Sequence, residues 1–168
     1  NFTPDITVEG VESTPLSQYL SLVRLSDQAL EKLISYFEEA DEKTIVVFFG
    51  DHQPNDTVAA PILNLNGMTT KTLTEDQLKL RYEVPYVIWA NYDIQEETVE
   101  KTSLNYLYSI LADRLDFPMT GYQKYLLALS EKIPALCAQG YWGDDGNYYE
   151  LEDESSPYHD LINEYNIL

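Results

Sequence analysis

Cysteine is nearly absent: Cys137 stands alone, so no internal disulfide framework holds the chain together. Basic residues are scarce as well. Ten Lys and Arg face 29 Asp and Glu, which leaves a formal net charge of -19. A surface that acidic repels phosphate backbones and anionic lipid, and this excludes nucleic-acid binding and polybasic membrane docking. Long apolar runs are missing. The run Ile45 to Phe49 falls far short of the ~20 residues that span a bilayer. No Gly-rich phosphate loop, no CxxC and no GxSxG occurs. The first residues, Asn1-Phe2-Thr3-Pro4-Asp5, contain no Met, no basic region and no apolar stretch. No signal peptide is legible there, and the chain is expected to be a processed or excised piece of a longer protein.

What is present points to a folded α/β chain. At 168 residues the length suits one domain, and 44% hydrophobic residues exclude a disordered one. Residues 1–13 mix Pro, Gly and acids without period and read as an irregular lead-in. Thr14 and Pro15 open a helix as cap and first helical residue. Leu16, Tyr19, Leu20, Val23, Leu30, Leu33, Ile34 and Phe37 recur at three- and four-residue steps, giving one apolar stripe on a helix of about 25 residues. Glu38 and Glu39 in its last turn oppose the helix dipole and predict fraying. Thr44 to Phe49 is a β-branched and aromatic run without alternation, the pattern of a strand buried on both faces in a parallel sheet. A second such run spans Val84 to Ala90, with Pro85 confined to its start or to an edge. Between them, residues 53–80 are the least regular part. Gln53 to Asp56 reads as a loop, and Thr74 caps a short helix through Leu80.

Ser103 opens a further helix with Leu104, Leu107, Tyr108, Leu111 and Leu115 on one face. Thr120 caps another, with Tyr122, Tyr125, Leu126 and Leu129 inward. From Ile133 onward there are eight acids and no Lys or Arg, interrupted by Tyr141-Trp142 and Tyr148-Tyr149. This tail predicts a hairpin around Asp145-Gly146-Asn147 and a short helix near 157–165.

Chemistry concentrates at Gly50-Asp51-His52, directly after the first buried strand. Ligands of open α/β sheets bind at the carboxyl ends of strands. Asp51 offers a hard oxygen and His52 an imidazole nitrogen, a pair suited to a divalent ion such as Mn2+ or Zn2+. Two adjacent donors need further ligands from elsewhere. The alternative is a loop Asp and His satisfied by backbone. His159, the other histidine, reads as an exposed helix residue. Cys137 reads as a small buried hydrophobe, Ser103 as a helix cap, and the tail acids as a solvated face rather than a Ca2+ loop.

The long helix, then Thr44-Ile-Val-Val-Phe-Phe-Gly-Asp-His52, then Val84-Pro-Tyr-Val-Ile-Trp-Ala-Asn91, resembles the C-terminal part of lipoteichoic acid synthase-like proteins of the sulfatase and alkaline phosphatase superfamily. The resemblance covers about residues 14–130, leaving 131–168 as an acidic, Tyr-rich extension of a single partial domain. It implies the C-terminal portion of an alkaline phosphatase-like sandwich, a mostly parallel sheet flanked by helices. It implies that Asp51 and His52 bind the catalytic metal, Mn2+ first, with Zn2+ and Mg2+ as alternatives. It also implies a membrane-anchored phosphoglycerol or phosphoethanolamine transferase, or a sulfatase-like hydrolase, working on phosphate or sulfate esters at the extracellular face of a bacterial membrane. Many relatives read GDHG where this chain has Gly50-Asp51-His52-Gln53-Pro54. The family's nucleophilic Thr, an acidic metal ligand and the substrate-contacting His, Trp and Arg lie upstream of the matched region. None of Thr3, Thr7, Thr14 and Thr44 stands in a matching context. The expected partner is therefore the missing N-terminal half of the same domain, the metal site in this chain is incomplete, and the chain alone is expected to be inactive. Sheet edges left open would favour a homo-oligomer. The competing reading is a non-catalytic binding module that keeps the fold and contacts cell-wall glycans or protein through its tyrosines.

Overall fold

A computed structural model describes residues 2–167, and the chain divides into two compact units, one ending at Gln95 and the other starting at Glu96. In the first unit the long helix α1 (Thr14–Glu38) is continuous. Its cap is Ser13, one residue before the expected Thr14. The Ser13 hydroxyl accepts from the Leu16 N–H at 3.3 Å, which moves Pro15 to the second helical position. The lead-in is docked rather than loose. The N–H groups of Asp5 and Ile6 donate to Ser21 Oγ at 3.1 and 3.0 Å, and that hydroxyl, fully buried, donates to the Ser17 carbonyl.

Strand β1 (Ile45–Phe49) pairs antiparallel with β2 (Tyr86–Ala90), in register Ile45 with Ala90 through Phe49 with Tyr86. The expected mostly parallel sheet is not what these residues form. A continuous apolar run reports a preference for burial, not a strand direction. Direction is set by what ties the ends. The Gly50 N–H donates to the Pro85 carbonyl, and the Asn91 N–H donates to the Thr44 carbonyl, so the antiparallel ladder extends past both strand ends. Pro85, lacking an N–H, precedes β2 and contributes only its carbonyl. Burial on both faces is also absent within this unit: Phe48 and Phe49 are 42% and 47% exposed.

Between the strands lie α2 (Asp56–Leu65), α3 (Glu75–Lys79) and a 3-10 turn at Leu80–Tyr82. Helix α2 was expected to begin as loop and carries Pro61 inside it. Asn55 starts it, its Oδ1 accepting from the Thr57 N–H at 3.0 Å. Helix α3 has the expected capping box, Thr74 with Gln77.

The second unit holds α4 (Leu104–Arg114), α5 (Gly121–Lys132), a three-stranded antiparallel sheet of β3 (Ala135–Cys137), β4 (Gly140–Trp142) and β5 (Tyr148–Glu150), and α6 (His159–Ile167). The tail hairpin and the last helix fall where the turn residues placed them. Its core is Tyr106, Leu126, Leu129, Ile133, Tyr141, Tyr158 and Ile162. The buried face of α4 is rotated from the expected one. Tyr106, Leu107, Ser109 and Ala112 are inside, while Leu104 and Tyr108 are exposed. Ser103 precedes α4, but its hydroxyl does not cap. It accepts from the Leu136 N–H at 2.6 Å and donates to the Leu136 carbonyl at 2.8 Å, standing in for a neighbouring strand.

The Tyr158 hydroxyl donates to the Asp144 carboxylate, and Lys132 Nζ donates to the same carboxylate at 2.9 Å. Tyr158, and then Lys132, holds Asp144 below its usual range, while Asp144 pushes Tyr158 up to about 12. A depressed Asp contributes stability above its unfolded pKa of about 4 and loses it as pH falls further. A raised Tyr contributes below about 10 and loses its share as pH climbs through its folded value. Wild type should therefore exceed Tyr158→Phe in melting temperature across the neutral range, with the gap closing in acid and again in strong alkali. Melts of both proteins across pH check this, and a gap independent of pH would refute it.

Candidate functional site

The Gly50-Asp51-His52 segment leaves β1 at its carboxyl end, as the strand pattern predicted. Gly50 makes a close approach to the segment entering β2: a Cβ there would stand 3.0 Å from the Val84 Cβ, tight enough that Val84 would have to shift. Both following side chains are open to solvent, Asp51 at 84% and His52 at 78% exposure. Their hydrogen bonds are local and leave one donor atom each for a ligand. Asp51 Oδ1 accepts from the His52 N–H at 2.9 Å, and Oδ2 faces the His52 ring. His52 Nδ1 lies 2.9 Å from the Gln53 carbonyl. A carbonyl can only accept, so Nδ1 carries a proton, and in the neutral ring Nε2 presents its lone pair. This is the arrangement in which a metal-binding imidazole is oriented by its other nitrogen.

Asp51 Oδ2 and His52 Nε2 are 3.5 Å apart. Bonds of ~2.0–2.2 Å let one divalent ion touch two atoms at that separation. The donor set fits such an ion, and it is partial. Among the described residues no three His, Cys, Asp or Glu side chains come together to hold a metal.

The loop beyond the pair is held by residues the sequence did not single out. Arg81, in the 3-10 turn, places Nη1 and Nη2 each 3.1 Å from Asp56 Oδ1, and Nη2 also donates to the Pro54 carbonyl at 3.1 Å. Gln53 Nε2 donates to the Glu83 carbonyl. Asn91 closes the opposite end of the sheet. Its Nδ2 donates to the carbonyls of Phe37, Ala40 and Glu42, and its Oδ1 accepts from the Thr44 N–H at 2.8 Å. The C-terminal carbonyls of α1 are thus capped across the chain, which answers the fraying expected from Glu38 and Glu39. The one available signal for Arg81 was the rarity of cations in so acidic a chain.

The other candidates lie in the second unit. His159 opens α6 and accepts from Asn163 Nδ2 at Nε2, 2.8 Å away. Cys137 is half-buried on β3. Among the described residues no helix is long and apolar enough to cross a membrane.

The model of the Sulfatase family matches residues 3–117, most of the chain, and the chain belongs to that family. The family implies an alkaline phosphatase-like α/β fold, and its members are typically metal-dependent. Two relatives are similar over part of the chain. A Rhizobium meliloti protein named for cyclic beta-1,2-glucan modification is 35% identical over 92 residues, 51% of this chain and 14% of the relative. The phosphoethanolamine transferase EptA of Helicobacter pylori is 25% identical over 125 residues, 70% of this chain and 23% of the relative. The chain thus spans less than a quarter of either relative. No solved structure matches it.

Proposed function

We propose that this chain carries two metal ligands, Asp51 and His52, of a metal-dependent phosphoglycerol or phosphoethanolamine transferase, or a sulfatase-like hydrolase, acting on phosphate or sulfate esters at the outer face of the cell membrane. The observation that carries the proposal is the Oδ2 and Nε2 pair at 3.5 Å, at the carboxyl end of β1 within the stretch the family model matches. Mn2+ suits a mixed oxygen and imidazole set, with Zn2+ and Mg2+ as alternatives. When bound, such an ion lowers the pKa of an attacking hydroxyl and offsets charge building on the ester oxygens. Asp51 supplies a hard anionic oxygen. His52 supplies Nε2, kept in the correct tautomer by the Gln53 carbonyl. The nucleophile and remaining ligands come from outside this segment, and that remainder of the catalytic domain is the proposed partner of the open β1–β2 sheet, ahead of a second copy repelled by its own charge. Similarity to a phosphoethanolamine transferase over 70% of the chain supports the reading.

A Mn2+ titration of the chain tests it, read by thermal shift and by water-proton relaxation. Binding should be weak, because two ligands are few, and should fall by at least about tenfold in Asp51→Asn and in His52→Ala. Binding unchanged in both variants refutes the assignment. A thermal response to cell-wall glycan that persists in Asp51→Ala, without any Mn2+ response, supports the binding-module reading instead.

A further inference from the structure

We infer that Arg81 is a positioning residue for the Asp51–His52 pair, an inference that rests on the metal reading above. The pair has little holding it in place. Each side chain bonds to backbone one residue away, the two face each other at 3.5 Å, and both are open to solvent. The orientation of the imidazole is therefore inherited from the Gln53 carbonyl, and the carbonyl from the path of residues 53–56. That path is fastened at three points to the segment entering β2. Gly50 is tied to Pro85 by a backbone bond, Gln53 to the Glu83 carbonyl by its amide, and Pro54 and Asp56 to Arg81.

Of these, the Arg81 tether is the one that uses charge. The guanidinium side chain is 27% exposed, half-buried in the loop, and it grips a carbonyl and a carboxylate at once. A planar fork does this with its donors fixed in one plane, whereas an ammonium has three donors on a flexible stem and holds the two acceptors with less directional control. It also pairs with Asp56, the nearest acid downstream of His52 in the loop. Arg81 thus fixes the lone-pair direction of His52 before any ion arrives.

The test uses the chain, Mn2+ as the probe, and 15N NMR of the His52 ring at a pH where the imidazole is neutral. The ring signal reports the tautomer without metal, so it judges the positioning role independently of binding. In wild type the Nδ1–H form should dominate. Arg81→Ala should mix the two tautomers and weaken Mn2+ binding by about tenfold. Arg81→Lys should recover only part of both. An unchanged tautomer and unchanged affinity in Arg81→Ala, with binding still lost in His52→Ala, overturns the positioning role and leaves the metal reading standing. A tautomer shift in Arg81→Ala without Mn2+ binding in any form keeps the positioning role and overturns the metal reading. If Arg81→Ala fails to fold, Asp56→Ala removes the carboxylate half of the tether from an exposed position, leaves the bond to the Pro54 carbonyl, and is judged by the same two readouts, with a smaller change expected in each.

Discussion

Asn91→Ala should destabilise the first unit by about 2–3 kcal/mol, more than any exposed substitution in it. The side chain makes one accepting bond and three donating ones, spanning the end of α1, the turn after it and the start of β1. Each is worth about 0.5–1.5 kcal/mol net, so a plain sum reaches ~2–6 kcal/mol. The lower part of that range applies. The amide has only two hydrogens to share among three carbonyls, and the Glu42 carbonyl can turn to water once the amide is gone. The cavity left by Asn is small and adds little. Asn91→Asp is the sharper variant. It keeps an acceptor for the Thr44 N–H but turns a second acceptor toward three carbonyls at the negative end of α1, so it should cost at least as much as Ala. Urea melts followed by Trp89, in a Trp142→Phe background, measure both. A loss below about 0.5 kcal/mol in Asn91→Ala would mean that the α1 end is held by something else.

How far the sequence carried the fold depends on the range of the interactions involved. Periodicity located α1, α4 and α5, and turn residues located the β4–β5 hairpin, because those signals act within a few residues. The Thr74–Gln77 and Thr120–Gln123 boxes were legible for the same reason. Three misreadings had other causes. Pro61 and the polar start at Asn55 concealed α2, where packing on α1 overrides propensity. The face of α4 was set one position off because Tyr106 and Ser109 are buried while the more apolar Leu104 is not. The strand direction was invisible, since β1 and β2 are equally apolar in either sense and the deciding bonds join residues about 35 to 50 positions apart in sequence. Of the site, Asp51 and His52 were legible as a pair of donor types after a strand. Arg81 and Asn91 were not, because their roles lie wholly in long-range hydrogen bonds that no local pattern records.

The chain on its own should give no measurable hydrolysis of an activated phosphodiester with Mn2+ present. In a longer enzyme containing it, His52→Ala should lower kcat/KM by at least about a thousandfold. The first half of this prediction follows from geometry. A nucleophilic hydroxyl must approach within a few ångströms of the atom it attacks while the ion holds that substrate. Thr44 begins its run at the far end of β1 from Asp51, on the order of 20 Å away along an extended strand. Its hydroxyl donates to the Glu42 carbonyl. Thr57 is nearer in sequence, but its hydroxyl donates to Asn55 Oδ1 at 2.6 Å as part of the α2 start. The adjacent Asp56 carboxylate is engaged by Arg81. On the proposed reading, the pair is a partial ligand set, and neither Thr44 nor Thr57 is placed to act as its nucleophile. Hydrolysis by the 168-residue chain that disappears in His52→Ala would overturn this, and would require one of these threonines to leave its present hydrogen bond and reach the pair. Hydrolysis unaffected by His52→Ala in the longer enzyme would instead remove His52 from the chemistry. The two halves of the prediction thus fail separately, the first on where the nucleophile lies and the second on what His52 does.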